Sequence, residues 1–369
     1  MAKLKVMSVF GTRPEAIKMG PLVKELEKFP DKIDSLVCVT AQHRGMLDQV
    51  LAFFGIVPDF DLDIMESKQS LARLTSRGLE RLDAVMTKAK PDLVLVHGDT
   101  TTTFIASLVA FYHQIPVGHV EAGLRTNNKY SPFPEEINRQ LTGILADLHF
   151  APTISAVNNL RAEGKEAGIY LTGNTVIDTF EYTLNTEFTH PVLTTIGNAK
   201  YILLTTHRRE NHGAPMRQIF NAILGIVAEN EDLHVVYPVH PNPVVAELAT
   251  EMLGKQERIH LIEPVDVVGF HHLMARAHLI LTDSGGVQEE APTLGIPVLV
   301  LRDTTERPEG IDAGVSKLVG TDQQKITKTT NELLNDEKAY TKMAQATNPY
   351  GDGTASKKIV DAILEYFAR

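Results

Sequence analysis

An α/β chain of two Rossmann-like domains, each a doubly wound parallel sheet and the pair facing a cleft, is the fold class that three observations predict. Short β-branched apolar runs alternate with amphipathic stretches of helical length. The connections between them are short. The whole pattern then restarts near residue 200. A parallel strand is reached only through a crossover, normally a helix, so such alternation builds parallel sheets. The length of 369 residues agrees, since roughly 150 residues make a domain.

In the first half the candidate strands are "LKVMSVF" (4–10), "DSLVCVT" (34–40), "DLVLVHG" (92–98), "IPVGHVE" (115–121) and "ADLHFAP" (146–152), with helices expected around 15–29, 45–54, 70–89, 101–113 and 135–145. The second half offers "KYILLTTH" (200–207), "LHVVYPVH" (233–240), "RIHLIEP" (258–264), "AHLILTDS" (277–284) and "PVLVLRD" (297–303). The expected division is a first domain at 1–173, a turn-rich junction at 174–199, a second domain at 200–354 and a tail at 355–369. The helix of that tail, "ASKKIVDAILEYF" (355–367), is able to pack back on either domain, the N-terminal one included.

Composition narrows the function classes. The chain is 43% hydrophobic and 22% charged, with 36 basic against 46 acidic residues and a net charge of −10. A surface for a polyanion would have to be local, and nucleic acid is a poor partner. The single cysteine, Cys38, lies inside a strand-like run and reads as a small core side chain. No stretch reaches the ~18 apolar residues of a membrane span. The first apolar run is too short for a signal peptide and leads into a glycine turn. A cytoplasmic protein without membrane contact is expected.

Ligands of doubly wound sheets bind beyond the carboxyl ends of the strands. After the first strand comes "GTRPEAIK" (11–18), where Arg13 and Lys18 bring positive charge to a helix start that already favours anions. Neither the dinucleotide fingerprint nor the P-loop is present at this turn. "HGDTTTT" (97–103) places Asp99 at a strand end, where a helix N-cap is the alternative role. "GHVEAGLRT" (118–126) places Glu121 at the next, and "YSPFPEEINRQ" (130–140) opens a helix with Glu135 and Glu136, where compensation of the helix dipole is the alternative. Acids at adjacent strand ends load one rim with negative charge, which raises some of their pKa values and suits proton transfer. H-x-D (97–99) and H-x-E (119–121) also raise a metal reading, but no Cys or HExxH companion accompanies them, and no metal is expected.

The second half supplies positive groups: His207, Arg208 and Arg209 in "THRREN", and His240 in "VHPN". His271 and His272 open a helix and read as surface residues. In "DSGGVQEEA" the amides of Ser284, Gly285 and Gly286 suit a diphosphate, and Glu290 suits a ribose diol, two carboxylate oxygens for two hydroxyls. Arg307 adds charge for the phosphates. A nucleoside diphosphate satisfies both needs.

Taken together, "VFGTRPEAIKM", "TAQHR", "HGDTTTT", "GHVEAGLRT", "SPFPEEINR", "THRREN", "LTDSGGVQEEAPTLG" and "RDTTERPEG" resemble the non-hydrolysing UDP-N-acetylglucosamine 2-epimerases of bacterial cell-envelope synthesis. The resemblance implies a glycosyltransferase-B fold, a homodimer, and chemistry without metal, nicotinamide or other cofactor. It implies reversible conversion of UDP-GlcNAc to UDP-ManNAc through a 2-acetamidoglucal and enzyme-held UDP. By motif, Arg13, Lys18, Asp99, Glu121, Glu135 and His207 serve substrate and catalysis, and Phe270, Ser284, Gly285, Gly286, Glu290 and Arg307 contact UDP. Some members bind a second UDP-GlcNAc as activator, and Gln42, His43, Glu135, Arg209 and His240 match that site. Gly45 replaces the Gln, and Lys68 the Arg, usual in regulated members; Gly offers no donor and Lys no bidentate fork. A glycosyltransferase of the same fold and a non-catalytic nucleotide-sugar regulator are the alternatives. The first needs an acceptor, and the second has no use for three acids at one rim.

Overall fold

The computed structural model describes residues 3–41, 44–66 and 69–368. The chain divides into two compact units, 1–182 with 350–369, and 183–349. Strands of the first unit are β1 (Leu4–Phe10), β2 (Ile33–Val39), β3 (Phe60–Asp61), β4 (Leu93–His97), β5 (Val117–Val120), β6 (Leu148–Ala151) and β7 (Ile169–Leu171). Those of the second are β8 (Tyr201–Thr205), β9 (His234–Pro238), β10 (Ile259–Ile262), β11 (Leu279–Thr282), β12 (Val298–Val300) and β13 (Ser316–Leu318). The sheet orders are β3-β2-β1-β4-β5-β6-β7 and β10-β9-β8-β11-β12-β13, with every pairing parallel.

Each sheet is wound outward from its middle in both directions. The winding reverses between β1 and β4 in the first sheet and between β8 and β11 in the second. At such a reversal the loops leave in opposite directions and open a crevice at the carboxyl ends. The residues following β1, β4, β8 and β11 therefore stand at the crevices of their own sheets.

The period of two along each strand builds the layers. Val6, Phe10, Leu93 and Leu95 face one side of the first sheet, against Met19, Leu22 and Leu26 of the helix Arg13–Glu27. Met7, Val9, Val94 and Val96 face the other, against Leu82 and Met86 of the helix Leu71–Ala89 and Ile105 and Val109 of the helix Thr101–Tyr112. A strand covered on both faces needs a continuous apolar run, which is what "LVLVH" supplies. Each large apolar side chain so buried contributes ~1.5–3 kcal/mol. In the second unit Ile202, Leu204, Val235 and Leu281 pack on Met216, Phe220 and Ile223 of the helix Ala214–Glu229.

The helix Thr175–Thr183 carries the chain out of the first unit. The last helix, Ala355–Ala368, belongs to that first unit, with Ile359, Val360 and Ile363 in its core. Asp178 holds its start, accepting from the amides of Ala355 (3.1 Å) and Ser356 (2.6 Å). Cys38 is buried in β2, and burial pushes its thiol up to about 12, so no thiolate forms near neutral pH. Among the described residues no helix is long and apolar enough to cross a membrane.

Candidate active site

In the first unit the candidate residues gather where β1 and β4 end. Gly11 must be glycine, because a Cβ there would stand 1.8 Å from Thr40 Oγ1. Thr12 then caps the helix Arg13–Glu27 in a capping box with Glu15, whose Oε2 accepts from the amides of Gly11 (3.1 Å) and Thr12 (2.8 Å). The other oxygen of Glu15 accepts from Thr100 Oγ1 (2.7 Å) and Thr103 Oγ1 (3.4 Å). One buried carboxylate thus locks the two strand-end turns together. Burial raises its pKa, and the hydrogen bonds of Thr100, Thr12 and Gly11 pull it back. Arg13, at the first turn of this helix, is exposed, and among the described residues it forms no ion pair.

Asp99 is not the N-cap that its position allowed. Thr100 takes that role, accepting from the Thr103 amide at 3.2 Å, and leaves the Asp99 carboxylate to Arg139 Nη2 at 2.5 Å. Burial raises the Asp99 pKa; Arg139 and Lys18 oppose the rise, and Glu121 and Glu135 add to it. Glu121 follows β5 with φ at +62°, a left-handed conformation that costs a non-glycine residue ~1–3 kcal/mol and persists only where the surroundings enforce it. Its Oε2 is ion-paired with Lys18, accepts from Asn174 Nδ2 at 2.8 Å and lies 3.7 Å from His97 Nε2. Burial pulls His97 down to about 4, so this imidazole is neutral and the local positive charge is that of Lys18. Glu135 is half-buried at the start of the helix Glu135–Leu145. Its neighbour Glu136 is fully buried and accepts from the amides of Thr126 and Asn127, both at 3.1 Å, which makes it a loop clamp.

In the second unit the candidate residues gather where β8 and β11 end. Asp283 is fully buried and gathers Thr206 Oγ1, the amides of His207 and Arg208, and Asn211 Nδ2, each at 2.9 Å from Oδ2. Its Oδ1 stands 3.2 Å from His207 Nδ1, and the exposed His240 stacks on the His207 ring at 5.4 Å. Burial lowers the His207 pKa, Asp283 opposes this, and Arg208 and His240 add to the lowering. Beyond β11, Ser284 leads into the short helix Gly285–Glu290. A Cβ on Gly285 would lie 3.7 Å from Arg208 Nη2 and 4.0 Å from Arg307 Cζ, so two guanidiniums flank this bare stretch of backbone. Arg307 is ion-paired with the buried Glu289. Phe270 is half-buried on the helix Val267–Arg276.

The expected residues therefore fall into two groups. Arg13, Lys18, Asp99, Glu121 and Glu135 belong to the first unit, and His207, Phe270, Ser284, Gly285, Gly286, Glu290 and Arg307 to the second. Of the regulatory candidates, Gln42, His43 and Lys68 lie outside the described residues. Arg209 is exposed, and a Cβ on Gly45 would meet nothing within 4 Å. Reasoning from the sequence missed Glu15, Arg139, Asn174 and Asp283. It also misplaced His271 and His272. His271 is 1% exposed, on the face that carries Met274 three residues on, and His272 is half-buried against Phe188. Among the described residues no group of three or more His, Cys, Asp or Glu side chains could hold a metal ion.

Two doubly wound sheets with acids at the strand ends of one and a glycine turn flanked by guanidiniums on the other define a nucleotide-sugar enzyme of glycosyltransferase-B architecture. The sequence model of UDP-N-acetylglucosamine 2-epimerase matches residues 24–364. A UDP-N-acetylglucosamine 2-epimerase of Bacillus subtilis is 63% identical over 368 residues, covering 100% of this chain and 97% of its own. The crystal structure of a Listeria monocytogenes protein described as a putative UDP-N-acetylglucosamine 2-epimerase superposes with a TM-score of 0.96 at 56% identity, covering 100% of this chain and 97% of that one. That of the Neisseria meningitidis enzyme bound to UDP-GlcNAc gives a TM-score of 0.87 at 50% identity, over 98% and 100% of the two chains. The chain belongs to the UDP-N-acetylglucosamine 2-epimerase family.

Proposed function

We propose that this chain interconverts UDP-GlcNAc and UDP-ManNAc, the second unit holding the nucleotide and the first supplying acid and base. One observation carries the reading: Asp99 is ion-paired with Arg139 and feels the charges of Glu121 and Glu135, while Glu121 is ion-paired with Lys18, so acids and fixed positive charge gather at one rim. The C2 proton of the sugar is not next to a carbonyl, and a carboxylate alone does not remove it. Departure of UDP changes this. As the C1–O bond breaks, its electron pair goes to the diphosphate, C1 gains oxocarbenium character, and the C2 proton becomes acidic. A carboxylate of the first unit takes that proton and the C1=C2 double bond of 2-acetamidoglucal forms. A second acid returns a proton to the opposite face of C2 while a diphosphate oxygen re-bonds to C1.

Asp99, whose pKa burial raises, is suited to one of these transfers, and Glu121 or Glu135 to the other. Arg13, Arg307, His207 and the amides of Ser284, Gly285 and Gly286 stabilise the leaving diphosphate, one preorganised donor of this kind being worth ~3 kcal/mol. Phe270 contacts the uridine and Glu290 takes the ribose diol. The reading includes a cytoplasmic homodimer. Ile137, Leu141 and Ile144 form an exposed apolar stripe on the helix Glu135–Leu145, beside the exposed Phe111 and Tyr112 of the helix it packs on, and light scattering in solution tests it. Activation by a second UDP-GlcNAc rests on Glu135, Arg209 and His240.

Proton NMR of the protein with UDP-GlcNAc in D₂O, without metal, cofactor or acceptor, tests the reaction. UDP-ManNAc carrying deuterium at C2 is the expected product. Sugar that stays intact and unlabelled, with folded protein and excess UDP-GlcNAc, overturns the reading.

A further inference from the structure

Glu290 is the last residue of the helix Gly285–Glu290, where unsatisfied carbonyls disfavour a negative charge. What steadies it is the buried imidazole of His271, whose Nε2 lies 3.4 Å from Glu290 Oε2. The other ring nitrogen, Nδ1, lies 2.8 Å from the hydroxyl of Thr183, which is itself fully buried. The tautomer with its proton on Nε2 presents a donor to the carboxylate, which offers only acceptors, and leaves Nδ1 to accept from Thr183. The ring thus stands between the Thr183 hydroxyl on one side and the Glu290 carboxylate on the other.

The helix that carries His271 is held at its start and at the next residue. The helix Val267–Arg276 is capped by Asp266, which accepts from the Gly269 amide at 2.8 Å. His272, the next residue, places Nε2 at 3.1 Å from the carbonyl of Thr183 and 2.8 Å from that of Thr186. Two consecutive histidines thus bind the Thr183 backbone and hydroxyl to one helix. On the far side of the carboxylate, a Cβ on Gly286 would stand 3.3 Å from Glu290 Oε1, so glycine leaves that oxygen its space.

We infer that His271, its tautomer set by Thr183, is a positioning residue that holds the Glu290 carboxylate for a ribose 2′,3′-diol and so sets the preference for ribonucleotides over 2′-deoxyribonucleotides. This rests on the assignment of the ribose to Glu290. A long acidic side chain otherwise samples several rotamers, and freezing it before the nucleotide arrives converts ordering cost into affinity and selectivity.

The experiment is calorimetric titration of UDP and of 2′-deoxy-UDP into the full-length protein and its variants. The wild type is expected to prefer UDP by about 10- to 100-fold, the value of a hydrogen bond to a charged acceptor. Glu290→Gln reduces that preference. His271→Leu, which keeps volume and loses the donor, reduces it to about threefold or less, and His271→Gln, which keeps an N–H, restores most of it. Thr183→Val, which frees the tautomer, reduces it as well, and stands in should the leucine variant not fold. Equal weakening of both nucleotides in these variants means loosened packing and overturns the proposal, as does a wild-type preference in folded His271→Leu. A wild type that does not discriminate, or a Glu290→Gln variant that discriminates fully, removes the ribose assignment itself, an outcome distinct from failure at His271 alone.

Discussion

The guanidinium of Arg139 meets the carboxylate of Asp99 at 2.5 Å and joins the helix Glu135–Leu145 to the turn after β4. Burial raises the Asp99 pKa and Arg139 is the largest force against it. Removing the guanidinium therefore raises that pKa further and shrinks the ionised fraction at neutral pH. In Arg139→Met the acid limb of kcat/KM moves to higher pH and turnover near neutrality falls about 10- to 100-fold. Arg139→Lys recovers part of this, having the charge without the planar fork. An acid limb that stays in place in Arg139→Met means that Asp99 is not the group titrating there.

Gly11 reports on how tightly the two turns are joined. A methyl group there would overlap Thr40 Oγ1 at 1.8 Å and crowd Thr40 Cβ at 3.2 Å, and Thr40 is itself bonded to Thr102 at 2.9 Å. Gly11→Ala is expected to cost about 1–3 kcal/mol by denaturant unfolding. Thr40→Ala removes the overlap with Oγ1, the shortest of these contacts, so the double variant should lose less than the sum of the two single losses. Simple additivity sinks the steric account.

Strand ends were legible because the physics there is local. The runs of β4, β8 and β11 are apolar up to their last residue, and the groups at their carboxyl ends follow from winding alone. The strands that escaped notice, β3, β7 and β13, are two or three residues long and lie at sheet edges, half-solvated, where no apolar run is required. Partners such as Arg139 and Asp283 escaped for another reason. Each acts on a residue 40 or 76 positions away, and one sequence carries no sign of such a meeting. His271 did leave a signal, since it stands three residues before Met274 on a helix whose Leu273 and Met274 are core. Its polarity outweighed its phase, and a buried polar group is where that weighting fails.

Stability should depend on pH through the buried histidines of the first unit. Burial pulls His97 and His119 to about 4 and His149 to about 3, against roughly 6.5 in an unfolded chain. Between these values the unfolded state binds more protons, so stability rises with pH. The contribution is complete above about 6.5 and drains away as pH falls toward 4. The raised pKa values of Glu15 and Asp178 work in the opposite sense. Among the described residues His149 Nδ1 has no hydrogen-bond partner, so His149→Leu should cost little near pH 7.5. Urea unfolding of His149→Leu should lose about 2 kcal/mol less than the wild type between about pH 7.5 and pH 5. Equal losses in the two proteins would rule out this source.

Nucleotide affinity should also carry a signature of His207. In the free protein burial, Arg208 and His240 hold this imidazole below its ordinary pKa, with only Asp283 pulling upward. A diphosphate brought to the glycine turn adds negative charge and raises that pKa, since an opposite charge favours the protonated ring. Binding then takes up a proton between the free and bound values. The sign follows: affinity is greatest at low pH and declines as pH rises through the bound-state pKa, by up to about tenfold per unit. The terminal phosphate of UDP titrates in the same region, but it does so equally in a protein without the imidazole. His207→Gln therefore isolates the protein's share. Calorimetry with UDP from about pH 5.5 to pH 8 should show the wild type losing up to about tenfold more affinity than the variant. Parallel curves for the two proteins would mean that His207 does not meet the diphosphate, and its place in the reaction would pass to Arg208 and Arg307, whose guanidiniums flank Gly285.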